Sequence, residues 1–154
     1  MIMSLSMPNT EPDDVMSGDP QKRRITVAAG VIVNDRRQIL LAKRPQHVHQ
    51  GGLWEFPGGK VEASETVDAA LSRELFEELA IEVTSAIPML KVSHDYPDKS
   101  VFLDVWLVDS FRGIPHGNEG QEVRWVDVEQ IDSFSFPEAN VVIVDAVKQY
   151  FVEQ

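Results

Sequence analysis

The segment Thr66–Leu79 constrains this chain more than any other, because it reads only as a helix and carries a charge pattern that folding alone does not explain. It contains no Gly or Pro, is rich in helix formers, and starts on a residue suited to an N-cap, Thr66, with Asp68 in the first turn. At about 100° per residue, Leu71, Leu75 and Leu79 form a stripe that must be buried, and Glu74 and Glu78 lie beside it. With Glu77 they crowd one side of the helix near its end. Like charges at (i, i+3) and (i, i+4) repel by roughly 0.2–0.5 kcal/mol per pair, and the negative end of the helix dipole adds roughly 0.3–1 kcal/mol per charge. A hard divalent cation reverses both signs. Mg²⁺ prefers carboxylate oxygens and leaves part of its coordination sphere to water and phosphates, so the cluster suits a phosphoryl-transfer site. Taken alone, a Glu-Glu pair is a solvated acidic edge.

What precedes the helix shifts that balance. Gly51-Gly52 and Gly58-Gly59 bracket a short strand, Leu53-Trp54-Glu55-Phe56, and a loop then runs through Lys60 to Glu65 and the helix. Glycine at 58 and 59 permits positive φ and close backbone approach, so a carbonyl there can turn toward a metal or a phosphate. Lys60 supplies a point charge for phosphate oxygens. Pro57-Gly58-Gly59 by itself is a tight turn, and the spacing decides. From Gly59 the chain runs five residues to Glu65, seven more to Arg73-Glu74, then Leu75, one residue, Glu77-Glu78, one residue, Ala80 and Ile81.

This pattern resembles the signature of the Nudix hydrolases at every specified position but Ala80, where the family carries glycine. That glycine would be the left-handed C-terminal cap of the helix, and alanine in that conformation costs about 1 kcal/mol. We expect a slightly altered helix exit with metal binding retained, since Ala80 carries no chemistry. The likeness runs over roughly residues 25–151 and narrows to the MutT-like branch, which removes oxidised guanine nucleotides. It narrows through Ile39-Leu-Leu-Ala-Lys-Arg44-Pro45, Trp54 to Lys60, and Phe136-Pro-Glu-Ala-Asn140. Gly117-Asn-Glu119-Gly-Gln121 is similar to the loop that gives this branch a further acidic residue.

The resemblance implies a role for each position. Glu74, Glu77 and Glu78 are expected as metal ligands, completed by the Gly58 carbonyl and Glu119 around the nucleotide. Glu65 supports them through a water or Arg73, and Arg73 holds Glu65 and the loop by a charge-assisted hydrogen bond. As a plain surface pair the two would contribute only about 0–1 kcal/mol. The implied reaction is attack of a metal-activated water within a nucleoside triphosphate, at the β-phosphorus in MutT-like enzymes, giving a nucleoside monophosphate and pyrophosphate. Glu74 and Glu119 are the candidates to take the proton. For the substrate, Asn140 is expected on a guanine edge and Phe56 against the base. Arg44 and Lys99 are expected at the oxidised edge or the phosphates, and Lys60 at phosphate. On position alone, Asn140 is equally a helix-terminal residue bonding local backbone. The cofactor is Mg²⁺, with Mn²⁺ open.

At 154 residues and 43% apolar, the chain suits one domain with a real core, residues 25–154, after a disordered extension over 1–24. A net charge of −11 argues against a nucleic-acid groove, and Lys22-Arg23-Arg24 reads as a solvated lead-in to a strand. The absence of cysteine excludes thiolate catalysis, and no apolar run approaches a membrane span. We therefore expect a cytoplasmic, monomeric enzyme with no membrane or nucleic-acid partner. The histidines His47, His49, His94 and His116 lack metal spacing and read as surface residues.

Strands are expected over Ile25–Val33 and Ile39–Lys43, joined as a hairpin through Asn34-Asp35-Arg36-Arg37, then over Met89–Ser93, Ser100–Val108 and Glu122–Val126. Turns fall at Tyr96-Pro97-Asp98 and from Arg112 to Pro115. A last helix is expected over Glu138–Phe151 with Val141, Val144 and Val147 inward. One helix in the middle and one at the end imply an α/β fold, a mixed sheet between helices, in agreement with the Nudix-type α/β/α sandwich that the resemblance implies. Two other functions stay open: a Nudix hydrolase of another nucleotide, such as a modified cytidine triphosphate or a nucleoside diphosphate sugar, and a Nudix domain that senses a nucleotide without cleaving it. The complete Glu74, Glu77, Glu78 set argues against the sensor.

Overall fold

The computed structural model describes residues 22–47 and 51–154. The expected disordered extension therefore lies outside the described residues except at Lys22, Arg23 and Arg24, and His49 lies outside them too. In chain order the elements are β1 (Arg23–Ile32), β2 (Gln38–Lys43), β3 (Trp54–Glu55), β4 (Gly58–Lys60), α1 (Val67–Leu79), β5 (Glu82–Tyr96), β6 (Lys99–Arg112), β7 (Val123–Asp127) and α2 (Val141–Val152). Two 3₁₀ turns, Val128–Ser133 and Glu138–Asn140, join β7 to α2. No helix among the described residues is long and apolar enough to cross a membrane.

A mixed sheet in the order β4-β1-β6-β5 carries the molecule. In it β1 runs parallel to β6 and antiparallel to β4. Its near-continuous apolar sequence is that of a strand buried on both faces. Ile25, Val27, Ala29 and Val31 pack in one core with Ile143, Val144, Val147 and Phe151 of α2. Ala28 and Ile32 pack in the other with Leu71, Leu75 and Leu79 of α1. The sheet thus lies between the two helices, as the α/β/α sandwich requires.

Several local expectations are corrected. The first two strands do not form a hairpin ladder: β2 leaves for a second, antiparallel sheet in the order β3-β2-β7. A Val33–Ile39 bridge and a set of Asn34–Gln38 hydrogen bonds, among them the Asn34 N–H to the Gln38 carbonyl at 3.2 Å and the Gln38 N–H to Asn34 Oδ1 at 3.1 Å, close the turn between the two strands without a ladder. The edge of β1 is already taken by β4 and β6, and Arg37, at φ 60, turns the chain away. The strands β5 and β6 are longer than Met89–Ser93 and Ser100–Val108, and in β5 register shifts around Val83, Ser85 and Pro88 break the alternation that marks a strand in sequence. Val141 is exposed, since the 3₁₀ turn at Glu138–Asn140 rotates the start of α2 outward. The basic run is not a solvated lead-in. Lys22 and Arg23 pair with Asp95 and Asp98 at 3.7 and 3.5 Å, and Arg24 lies over the Phe102 ring.

Candidate active site

Helix α1 begins where its sequence says, with the Thr66 hydroxyl accepting from the Ala69 N–H at 3.4 Å. Its end differs from the expected altered exit. Ala80 takes the left-handed conformation itself, φ 61 and ψ 34, and its N–H caps the Phe76 carbonyl at 3.0 Å. The fully buried Ile81 that follows anchors the chain there, so the turn usually given to glycine is kept at alanine's expense.

Glu74 and Glu78 are buried at 6% and 0% exposure, while Glu77 is exposed. Burial, then a hydrogen bond with the Glu74 carboxyl, and then the negative charges of Glu74 and Glu55 push the Glu78 carboxyl up to about 11. Hard oxygen donors crowded in this way fit a divalent cation, whose charge would return Glu78 to a carboxylate. Gly58 and Gly59 serve this crowding differently from expectation. Neither has positive φ; both are extended in β4, opposite Ala29 and Ala28. A Cβ on Gly58 would strike the Ala28 carbonyl oxygen, and one on Gly59 would strike the Glu74 carboxyl.

Arg73 ties the approach loop to the helix. Nε and Nη2 grip both oxygens of Glu65 at 2.6 and 2.8 Å, Nη1 donates to Glu74 at 2.9 Å, and Nη2 reaches the Lys60 carbonyl at 3.2 Å. Arg73 Nη1 also lies 3.5 Å from Glu77. The Arg73 bonds, and after them the Glu62 N–H, hold Glu65 down at about 2.

The loop carrying Glu119 docks on the last carbonyls of α1. Asn118 donates to the Glu77 carbonyl at 3.0 Å through its side chain and to the Glu78 carbonyl at 2.9 Å through its backbone. The Gln121 side chain also reaches the Glu78 carbonyl, at 3.0 Å. Both residues stand in the Gly117–Gln121 segment that the sequence singled out for Glu119, but no role was expected of them; polar side chains facing a helix end were the available signal. Glu119 itself is exposed. Among the described residues no three acidic or histidine side chains converge closely enough to enclose a cation, so the cluster is an open set of donors.

The remaining candidates lie on the α2 side of the sheet. Phe56 is fully buried and stacks on Phe136, with ring centroids 5.5 Å apart and planes 13° from parallel. Asn140 is fully buried, makes no cap bond, and has neither amide atom hydrogen-bonded. The local-backbone reading of Asn140 is thereby removed. Lys99 is buried beside the Tyr96 ring, and burial lowers its ammonium below the ordinary range; Asp98 opposes this, while Arg23, Arg44 and Lys60 add to it. Lys60 and Arg44 therefore share one cationic neighbourhood with Lys99. Arg44 is buried and bonds Glu55 at 2.7 Å, a partner the sequence reading did not single out. His94 packs edge-on against Tyr96 and lies 3.7 Å from Glu138.

Comparison with known proteins adds a family. The NUDIX domain family matches residues 28–146. The 8-oxo-dGTP diphosphatase of Haemophilus influenzae is 41% identical over 80% of this chain and 90% of its own. The CTP pyrophosphohydrolase of Escherichia coli is 36% identical over 80% and 91%. A solved structure from work on MutT of Aliivibrio salmonicida and Vibrio cholerae is 44% identical, covers 83% of this chain and 99% of its own, and superposes with a TM-score of 0.74.

Proposed function

The chain belongs to the NUDIX domain family, and on that premise we propose that it is an 8-oxo-dGTP diphosphatase, hydrolysing oxidised guanine nucleotides to the monophosphate and pyrophosphate. Enzymes of this family generally use divalent metal ions. In this reading the metal is Mg²⁺, with Mn²⁺ as a substitute, held by Glu74, Glu77, Glu78, the Gly58 carbonyl and Glu119. Bound there, it supplies charge neutralisation for the triphosphate and a lowered pKa for the attacking water.

The chain's own residues do the rest. Arg73 keeps Glu65 and the Lys60 backbone against the helix, so the cluster stays in place when its charges are unmasked. Glu74 or Glu119 takes the proton from water. Lys60, Lys99 and Arg44 provide the positive side of the cleft for phosphate and base. Phe56, stacked on Phe136, walls the base pocket. The enzyme acts as a monomer on the free nucleotide pool of the cytoplasm, without nucleic acid or membrane.

The observation that carries the choice of base is Asn140. A buried amide with both atoms unsatisfied costs about 1–3 kcal/mol per group, and folded proteins retain few such groups. A guanine edge, which offers acceptor and donor side by side, satisfies both. Cytosine also offers such an edge, and the similarity to a CTP pyrophosphohydrolase keeps a cytidine nucleotide as the second reading. Turnover of 8-oxo-dGTP, dGTP and CTP with Mg²⁺, with products identified, separates them: preference for CTP would replace the first reading with the second.

A further inference from the structure

Arg124 takes no part in the chemistry described above, yet its side chain is drawn toward two aromatic rings on the segments that build the base pocket. In the sheet order β3-β2-β7 it reaches from β7 across β2. Its guanidinium carbon lies 5.1 Å from the centroid of the Trp54 ring and 5.8 Å from that of Phe134. Nη2 donates to Glu122 at 2.6 Å. The two rings meet edge to face, with centroids 5.3 Å apart.

Shielding Trp54 from water does not account for this placement. Lys43, its cross-strand neighbour, already lies over the same ring at 5.8 Å. What Arg124 adds is the second ring. Phe134 stands between the two 3₁₀ turns, outside any strand or helix, so contacts of its side chain must hold it. A cation over both rings draws on the quadrupole of each and keeps them together.

The rings are one end of a longer seam. The Trp54 N–H donates to the Ser135 carbonyl at 2.8 Å, which sets residues 54–56 against residues 134–136. Along that seam aromatic rings pair twice, Trp54 with Phe134 and then Phe56 with Phe136. The second pair is the wall of the base pocket. From it the chain passes to Asn140, whose N–H bonds the Pro137 carbonyl at 2.9 Å.

We propose that Arg124 is a positioning residue: by holding Trp54 and Phe134 together it fixes the 134–136 segment on β3, and with it the Phe56–Phe136 wall and the approach to Asn140. This rests on the nucleotide reading above and deepens it, and it applies to a guanine or a cytosine base alike.

The test is Arg124→Met, which keeps a long side chain and removes its charge. On 8-oxo-dGTP or CTP, whichever the wild type prefers, KM should rise about 3- to 10-fold, the size of one or two cation–π contacts, while kcat stays within about twofold. Inhibition by inorganic pyrophosphate, which has no base, should be unchanged. Phe134→Leu removes the bridged ring and keeps apolar bulk. It should raise KM by a similar factor, and adding Arg124→Met to it should change KM no further. A lowered Tm with unchanged KM would make Arg124 a surface brace and overturn the proposal. Equal loss of nucleotide and pyrophosphate affinity, or additive effects in the double variant, overturns it as well. Phe134→Leu carries the test alone if Arg124→Met does not fold, and an unchanged KM there is equally fatal. Failure of the nucleotide reading shows separately, as wild-type protein that turns over neither nucleotide.

Discussion

Replacing Glu78 by Gln should make the protein more stable in the absence of divalent cation. An unfolded glutamate has its ordinary value, 4.5, whereas the folded Glu78 carboxyl is raised by burial to about 11. Above pH 4.5 the unfolded chain releases a proton that the folded chain keeps. This contribution to stability is therefore most favourable below the unfolded value and falls as pH rises toward the folded one. Each pH unit in that window costs about 1.4 kcal/mol. By pH 7 the penalty reaches at most about 3 kcal/mol, because relaxation of the site can only reduce it. Glutamine fills the same volume and never ionises, so it removes the penalty. For a domain of this size the gain is roughly 6–12 °C in Tm. Thermal unfolding in chelator, at pH 4.5 and at pH 7, reads it directly: the two proteins should match at the lower pH and diverge at the higher. Adding Mg²⁺ should raise the wild-type Tm with release of protons and leave the variant unmoved. A Glu78→Gln protein that is less stable at pH 7 without cation, or offset equally at both pH values, would refute the reasoning.

Ala80→Gly should raise Tm by about 2–4 °C through relief of about 1 kcal/mol of left-handed strain, with kcat/KM unchanged; a fall in Tm would show that Ala80 is not strained. Asn140→Leu should leave the unfolding temperature level or higher while lowering kcat/KM on a guanine nucleotide about 10- to 100-fold, whereas a large loss of stability would mean that the amide is already bonded. Glu65→Gln should change the acid limb of unfolding: the stabilising contribution of Glu65 is complete above 4.5 and is lost as pH falls toward about 2, so the variant should lose less stability across that window, and an identical acid limb would contradict the Arg73 grip.

What the sequence showed of this fold was what is local. Helix α1 could be read to the residue because Thr66, the leucine stripe and the glutamates beside it all act within a few turns of one element. The partition of strands could not be read, because the pairing of β1 with β6 and of β2 with β7 is decided by chain segments far apart. Bulges hid the length of β5 in the same way, and a single 3₁₀ turn moved Val141 from core to solvent. At the site, the spacing from Gly59 to Glu78 named the charged residues, while the reason for glycine was hidden. Gly58 and Gly59 are set by what a Cβ would strike, which is a tertiary fact. Glu55 stayed hidden because one acid in an apolar strand carries no pattern, and the docking role of Asn118 and Gln121 because their partners are carbonyls on another element.

The most direct test of the whole account is kcat/KM for 8-oxo-dGTP beside dGTP and CTP, with Mg²⁺ and with identification of the products. The account predicts a strong preference for 8-oxo-dGTP and release of monophosphate and pyrophosphate. Preference for CTP would contradict the assignment of the base pocket, and absence of turnover on every nucleotide would contradict the enzyme.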